Sequence, residues 1–416
     1  MADASEEIHV NIGIQETLLA ASQHNIPKLR QLIRSSNNIE NPVNVKDPET
    51  GYTPLHAAIA ACEQDSSDSK DSAPNGRHSD DIDGTVSEQE RIQQTGRDTV
   101  KFLLQEGAIW NDLDENNESA GCLARRLGLT ELYELMVDAG VRAELLLSHL
   151  EGYEQLSDHD AEEDCNEIQA QEKPEGLSSS VTAEDSIESS GISTEPDITS
   201  SRYLRSGLTF QCDRLLDEDQ NGVMMAWESE IMATTARKLL PSPGLRVLNI
   251  GHGMGIVDGS FQEQSPSSHH IVEAHPDVVA EMKRLGWHEK HGVVVHEGKW
   301  QEILPKLIEQ NETFDAIYYD TFAESYSDFR SFFAEQVIGL LDQTAGKWGF
   351  FNGMGADRQI SYDVYQKVVE IDLFEAGYDV EWEDIKVPQL EGEWAGVRRR
   401  YWVIDNYRLP ICKYSE

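Results

Sequence analysis

Lysine and arginine are scarce in this chain. Its 416 residues include 34 of them against 76 aspartates and glutamates, a formal net charge of -42. Such a charge repels nucleic-acid phosphates and anionic membrane surfaces, so neither is expected as a partner. It favours basic partners and cationic substrates, although solvated linkers can hold much of the excess. The one basic run, Arg398-Arg399-Arg400, reads as a solvated strand edge. Cysteine is also sparse: Cys62, Cys122, Cys165, Cys212 and Cys412 are scattered, odd in number and form no C-x-x-C pair. That pattern argues against a disulfide framework and against a zinc site, so no metal is expected. No stretch approaches the roughly 18 apolar residues of a membrane-spanning helix. The opening Met1-Ala2-Asp3-Ala4-Ser5-Glu6-Glu7 lacks a basic region followed by an apolar run and is no secretory signal. A soluble intracellular protein is expected. Its hydrophobic fraction of 39% is low for a uniformly folded chain of this length.

Composition divides the chain into three parts. Residues 63–96 are rich in Ser, Asp, Gln and Gly, and residues 152–200 are similar, passing through Asp158-His159-Asp160-Ala161-Glu162-Glu163-Asp164. Neither stretch can bury enough apolar surface to offset the entropy of ordering, so both are expected to be disordered. The first is an acidic insertion within an N-terminal region (1–150). The second is a linker (151–200). In the N-terminal region Leu18, Leu19, Leu29, Leu32 and Ile33 recur at helical spacing. Gly51-Tyr52-Thr53-Pro54-Leu55-His56-Ala57-Ala58 resembles the ankyrin signature, with Thr53 able to cap a helix and Pro54 suited to its first position. Val100–Ala108 and, more loosely, Leu132–Gly140 resemble the end of an ankyrin second helix. An all-α region of two to three degenerate ankyrin-like repeats is expected, of a kind that binds protein partners.

From about Tyr203 to the end (201–416) strands and helices alternate, which predicts an α/β domain with a parallel sheet. The strands read are Arg246–Ile250, His270–Ala274, Val293–His296, Ala316–Tyr319 and Lys347–Asn352. Val380–Val387 and Arg400–Tyr407 have no helix between them and read as a terminal antiparallel pair.

The chemistry begins at Val247-Leu248-Asn249-Ile250-Gly251-His252-Gly253-Met254-Gly255. An apolar strand ends there in a glycine-rich turn, which lets backbone approach a ligand closely. A dinucleotide site would want a third glycine at position 256, where Ile256 stands. The G-x-G-x-G spacing resembles instead the motif of class I S-adenosylmethionine (SAM)-dependent methyltransferases. That class usually has an acid two residues before the first glycine; Asn249 replaces it. Glu273, at the end of the second strand, suits the ribose hydroxyls. Trp300 and Gln301 follow the third strand, where adenine binds in the class. Asp320 sits at the carboxyl edge of the fourth strand, where ligands bind in open sheets. Upstream, Met224, Glu228 and Met232 are four residues apart and are expected on one helix face.

In order, V-M-M-x-W-E-x-x-I-M, N-I-G-H-G-M-G-I, E-A-H-P-D, G-K-W-Q and Y-Y-D-T-F look like guanidinoacetate N-methyltransferase and its fungal protein relative, the type IV protein arginine N-methyltransferase. The resemblance spans residues 203–416. The N-terminal helices and Phe351-Asn352-Gly353-Met354-Gly355-Ala356-Asp357-Arg358 point to the protein-arginine branch. The resemblance implies a class I (Rossmann-like) domain that binds SAM and monomethylates the internal (N5, δ) nitrogen of an arginine in a large-subunit ribosomal protein, in cytoplasm and nucleus. It implies that Gly251, His252, Gly253, Met254, Gly255 and Ile256 cradle the methionine part of SAM. Glu273, Ala274 and His275 would hold ribose and adenine, and Trp300 and Gln301 would flank adenine. Tyr203, Met224 and Met232 would close over the cofactor, with Asp320 bordering it. Glu228 and Asp320 would hold the guanidinium. Two carboxylates gripping that cation leave another nitrogen facing the methyl group, and one of them can receive the proton. Two alternatives stay open: methylation of a small guanidino compound, and an ankyrin adaptor whose SAM fold is not catalytic.

Overall fold

The computed structural model describes residues 3–35, 41–63, 88–150 and 199–415. The expected linker and the Ser/Asp-rich part of the insertion lie outside the described residues. The N-terminal part consists of α1 (Asp3–Ser22), α2 (Ile26–Ser35), α3 (Pro54–Ala60), α4 (Glu88–Gln105), α5 (Ala120–Arg126) and α6 (Thr130–Leu150). Thr53 starts α3 as expected. Its side chain accepts from the His56 N–H, His56 Nδ1 accepts from the Thr53 N–H, and Pro54 takes the first turn. Ser119 caps α5, its side chain accepting from the Cys122 N–H. Residues 88–96, expected within the disordered insertion, instead form the first half of α4. Their Glu, Gln and Arg are good helix formers, and Ile92 gives them an anchor on the core.

The second part opens with α7 (Ser200–Tyr203) and a small antiparallel sheet, β1 (Thr209–Phe210), β2 (Arg214–Leu216) and β3 (Gly222–Met225), followed by a single 3-10 turn and α8 (Ser229–Leu239). It continues through β4 (Arg246–Ile250), α9 (Ile256–Glu263), β5 (Ser268–Glu273), α10 (Pro276–Arg284), β6 (Val293–Glu297), α11 (Trp300–Glu309) and β7 (Ala316–Tyr319). The last elements are α12 (Tyr326–Ser331), α13 (Val337–Leu340), β8 (Lys347–Phe350), α14 (Gln359–Glu375), β9 (Tyr378–Lys386) and β10 (Asn406–Tyr414). Strands β4 to β10 form one sheet in the order β6-β5-β4-β7-β8-β10-β9. All neighbours from β6 to β8 are parallel, whereas β10 is antiparallel to both β8 and β9. This is the seven-stranded Rossmann-like sheet of class I methyltransferases.

Two expectations at the domain's ends are corrected. The second strand of the terminal pair is Asn406–Tyr414, not Arg400–Tyr407. Residues 400–404 are held outside the ladder by side-chain bonds, with Trp402 Nε1 donating to the Ile404 carbonyl at 2.6 Å. Pro410 hides the true strand, since proline is rare inside a sheet. Arg398-Arg399-Arg400 therefore lies in an exposed loop rather than on a strand edge. The single helix face proposed for Met224, Glu228 and Met232 is also absent. Met224 pairs with Leu215 on β3, Glu228 ends the 3-10 turn and Met232 lies in α8. Cross-strand pairing with β2 overrides the helical spacing.

Sheet order places the site. Chain progression runs outward from β4 through β5 to β6 on one side, and from β7 to β8 on the other. Loops leaving β4 and β7 therefore diverge and leave a crevice at the carboxyl ends of these two strands. The glycine loop and Asp320 stand on its two sides.

Helix α14 ties the two parts together. It is apolar on two faces. Ile360, Val364 and Val368 join the core of the N-terminal helices, while Val369 and Leu373 join the sheet's core. Tyr133 Oη donates to Asp363 at 2.5 Å and Tyr365 Oη to Glu144 at 3.0 Å across the same seam. A glycine allows the close approach: a Cβ at Gly140 would lie 2.6 Å from Val364 Cγ2 and 3.1 Å from Trp110. Gly140→Leu is expected to destabilise the protein by about 1–3 kcal/mol through overpacking. Thermal denaturation of the full chain checks this; an unchanged melting curve would show that the seam is slack.

Candidate active site

Two connected spaces occupy the crevice. The first is a cleft of about 680 Å³ including its mouth. Tyr203, Met224, Gly251, Gly253, Glu273, Ala274, Trp300 and Asp320 line it. The second, about 1020 Å³ including its mouth, is lined by Glu228, Asp320 and a ring of aromatics: Tyr319, Phe322, Phe329, Phe350, Phe351 and Tyr401. Asp320, Thr321 and Glu324 border both. A third, shallower groove shares Gly222, Phe322, Gly353 and Tyr401 with the second and runs outward past Asp357 and Arg399.

The cleft is built by backbone. Gly251 has φ +93°, and a Cβ there would meet the Asp320 carbonyl at 1.8 Å. Only glycine lets the loops after β4 and β7 pass this closely. Glu273 anchors the floor. Its Oε2 accepts from the N–H groups of His252 at 2.8 Å and Gly253 at 3.4 Å, and its Oε1 from His275 N–H at 2.7 Å. His275 in turn donates from Nε2 to the Tyr203 carbonyl at 3.0 Å, and the two rings lie 4.7 Å apart. Trp300 is fixed by Glu324, to which its Nε1 donates at 2.9 and 3.0 Å. Thr321 and Tyr319 also donate to Glu324.

These residues fit SAM. A Cβ at Gly253 would lie 2.8 Å from Met224 Cε, so the bare glycine keeps the loop's approach to the β3 methionine open. A carboxylate stands where ribose hydroxyls would need acceptors, with an indole beside it. Not every expected contact faces the cleft. Met232 is wholly buried in the domain core, and His252, Met254, Gly255, Ile256 and His275 lie behind or beside the lining. Gln301 is exposed and reaches Glu324 at 3.4 Å.

Glu228 and Asp320 face the second space. Glu228 is 3% exposed; its Oε1 accepts from Met225 N–H at 3.2 Å and from the Tyr401 hydroxyl. Asp320 Oδ2 is buried with no hydrogen-bond partner among the described residues. Among the described residues no arginine or lysine lines this space. Burial raises both carboxyls: Glu228 to about 8, with help from the Asp320 charge, and Asp320 to about 7, with help from Asp258. Tyr401 opposes the shift by donating to the ionised form. Aromatic walls and two uncompensated acids form a receptor for a planar cation.

Tyr401 and Glu324 were not among the residues singled out from sequence. Tyr401 is 173 positions from Glu228 and lies in an irregular loop, so no spacing links them. Glu324 follows Tyr-Tyr-Asp-Thr-Phe-Ala closely, and a carboxylate just beyond a strand end was its one available signal.

Fold and site together define a class I SAM-dependent methyltransferase. Residues 209–347 match the family model for guanidinoacetate N-methyltransferase. Over whole chains, three fungal proteins named protein arginine N-methyltransferase 2 are similar to this one. That of Aspergillus fumigatus is 67% identical over 98% of both chains. That of Aspergillus oryzae is 64% identical, and that of Neurospora crassa 43%, each over the full length of both. The chain belongs to the protein arginine N-methyltransferase 2 family.

A carboxylate must be ionised to accept the N–H groups of a cation. Because both pKa values are raised, the ionised pair accumulates only as pH rises through about 7 to 8. The kcat/KM for the cationic substrate is expected to climb across that interval. Tyr401→Phe removes a bond to a charged group worth ~1.5–3 kcal/mol and should move the upper limb higher by about one to two pH units. A profile that is flat there, or a limb unmoved in Tyr401→Phe, contradicts the assignment.

Proposed function

We propose that this enzyme transfers one methyl group from SAM to the internal (N5) nitrogen of an arginine in a protein, with a basic large-subunit ribosomal protein as its substrate. The carrying observation is the pair of buried carboxylates, Glu228 and Asp320, facing one aromatic space without a counter-cation among the described residues. SAM supplies the electrophilic methyl group, and the transfer needs alignment more than covalent help from the protein. Arginine is a poor nucleophile because its lone pairs are delocalised and its pKa lies above about 12. Glu228 and Asp320 accept from the terminal nitrogens and draw positive charge toward them. The nitrogen left without a carboxylate partner is the internal one. Asp320, which borders both spaces, is placed to take the proton released during transfer. Tyr401 keeps Glu228 aligned.

Support for a protein substrate comes from the outward groove past Asp357 and Arg399, which gives room for main chain beyond the arginine. A strongly acidic enzyme suits a basic partner. We read the N-terminal helix pairs as degenerate ankyrin repeats that present a further surface to that partner or another protein. Cytoplasm and nucleus, where ribosomal proteins are made and assembled, are the expected locations. The match to the guanidinoacetate family keeps a small guanidino substrate as the second reading.

Extract from cells lacking the enzyme, incubated with the purified chain and methyl-labelled SAM, is expected to carry label on the δ nitrogen of a ribosomal-protein arginine, located by tandem mass spectrometry. Label confined to small molecules supports the second reading. Asp320→Asn and Glu228→Gln should each lower kcat by at least about 10²-fold, as expected for groups that act on the transferred proton or the reacting cation, while still binding SAM. Near-normal turnover in both variants overturns the carboxylate assignment.

A further inference from the structure

The acid missing from position 249 has a counterpart nine residues along the chain. Asp258, in the first turn of α9, is fully buried directly beneath the glycine loop. Its Oδ1 accepts from Asn249 Nδ2 at 2.9 Å and from His269 Nε2 at 2.8 Å, and its Oδ2 contacts His252 Nδ1 at 2.6 Å. Gln262 donates to His269 Nδ1 at 2.8 Å and so fixes the proton on Nε2, toward Asp258. An aspartate at 249 would set a second carboxylate about 2.9 Å from this one, which explains the asparagine.

His252 links this cluster to the cofactor cleft. Its ring is packed edge-on against Trp287 at 4.9 Å, and a Cβ on Gly255 would meet it at 2.8 Å. Its backbone N–H is the shortest loop donor to Glu273 Oε2, at 2.8 Å. A side chain locked on both edges leaves that N–H one direction. We infer that Asp258 is a positioning residue for SAM: by holding the His252 ring it aims the loop N–H groups that orient the Glu273 carboxylate for the ribose. Burial would push the Asp258 carboxyl up, but the two histidines hold it at about 2, so it works as an anion. A buried anion is costly to keep. An apolar residue would fill the same volume more cheaply if loop packing were its whole purpose.

The test is a double-variant cycle on SAM affinity, measured by calorimetry on the full chain. Asp258→Asn is expected to weaken SAM binding about tenfold, but less than about threefold in a Glu273→Ala background, because the two changes then act through one contact. Compared above about pH 8, where Asp320 is ionised with or without the Asp258 charge, the loss should fall on KM for SAM rather than on kcat. Equal losses in both backgrounds, or undiminished affinity in Asp258→Asn, overturn the inference. If Asp258→Asn does not fold, His252→Ala serves in the same cycle, since it leaves Asp258 its bonds to Asn249 and His269. An equal loss with and without Glu273 again overturns it.

Discussion

Two buried carboxylates share one aromatic-lined space in this enzyme, and among the described residues neither has a cationic partner there. Glu228 comes from the turn before α8 and Asp320 from the end of β7, so only the folded domain brings them to one cavity. Water would relax the cost of their charge; both carboxyls are buried, and Tyr319, Phe322, Phe329, Phe350, Phe351 and Tyr401 line the space they face. The free protein holds both acids closer to their neutral forms than exposed carboxyls would be. A guanidinium that enters supplies the missing charge. Under the proposed role, binding of a cation and ionisation of the site favour one another, and selectivity for a cation follows from burial. A neutral ligand of the same shape would offer no charge to offset theirs and gain little.

The rest of the site meets the demands of that pair. Asp320 must stand beside the cofactor loop without a side chain between them, which is the role of Gly251 and its close approach to the Asp320 carbonyl. Glu324 borders both spaces, yet it is tied up by Trp300, Tyr319 and Thr321 and presents few free lone pairs to a substrate. Three acids therefore border the second cavity: Glu324 holds its walls, and Glu228 and Asp320 are the two proposed to hold the cation. Preorganised groups of this kind need no rearrangement when the methyl group is transferred.

Much of this could be read along the chain, for identifiable reasons. Strands β4 and β7 are short apolar runs ending in Gly251 and Asp320, and a parallel sheet forces such ends to one edge. Glu273 was legible because it ends β5 at a fixed distance from the glycines. What failed depended on partners distant in sequence. Met224 and Met232 have helical spacing, but β2 captures the first as a strand residue. Residues 400–404 have the composition of a strand, yet Tyr401 is drawn to Glu228 and the ladder begins only at Asn406. Asp258 carries no motif; its meaning appears only when His252 and His269 close around it. Asn249 looked like a lost charge from sequence, and the fold shows an acid nearby that the sequence pattern could not connect to it.

Helix α14 gives the N-terminal helices a bearing on the chemistry. It begins directly after the loop 351–358, whose Phe351, Asn352, Gly353 and Met354 line the substrate cavity. Its outer face is part of the N-terminal core, through Ile360, Val364 and Val368, and Arg358 Nε reaches the Asn117 carbonyl at 3.5 Å. The groove past Asp357 and Arg399 therefore opens beside a seam between the two parts rather than onto a bare edge of the sheet. A seam filled by apolar side chains cannot slide without exposing them, so a partner bound on the helices is held in a fixed relation to Glu228 and Asp320. This geometry favours a macromolecular substrate: a small guanidino compound needs the two carboxylates and the aromatic ring, but has no use for a surface bolted to the cavity's rim.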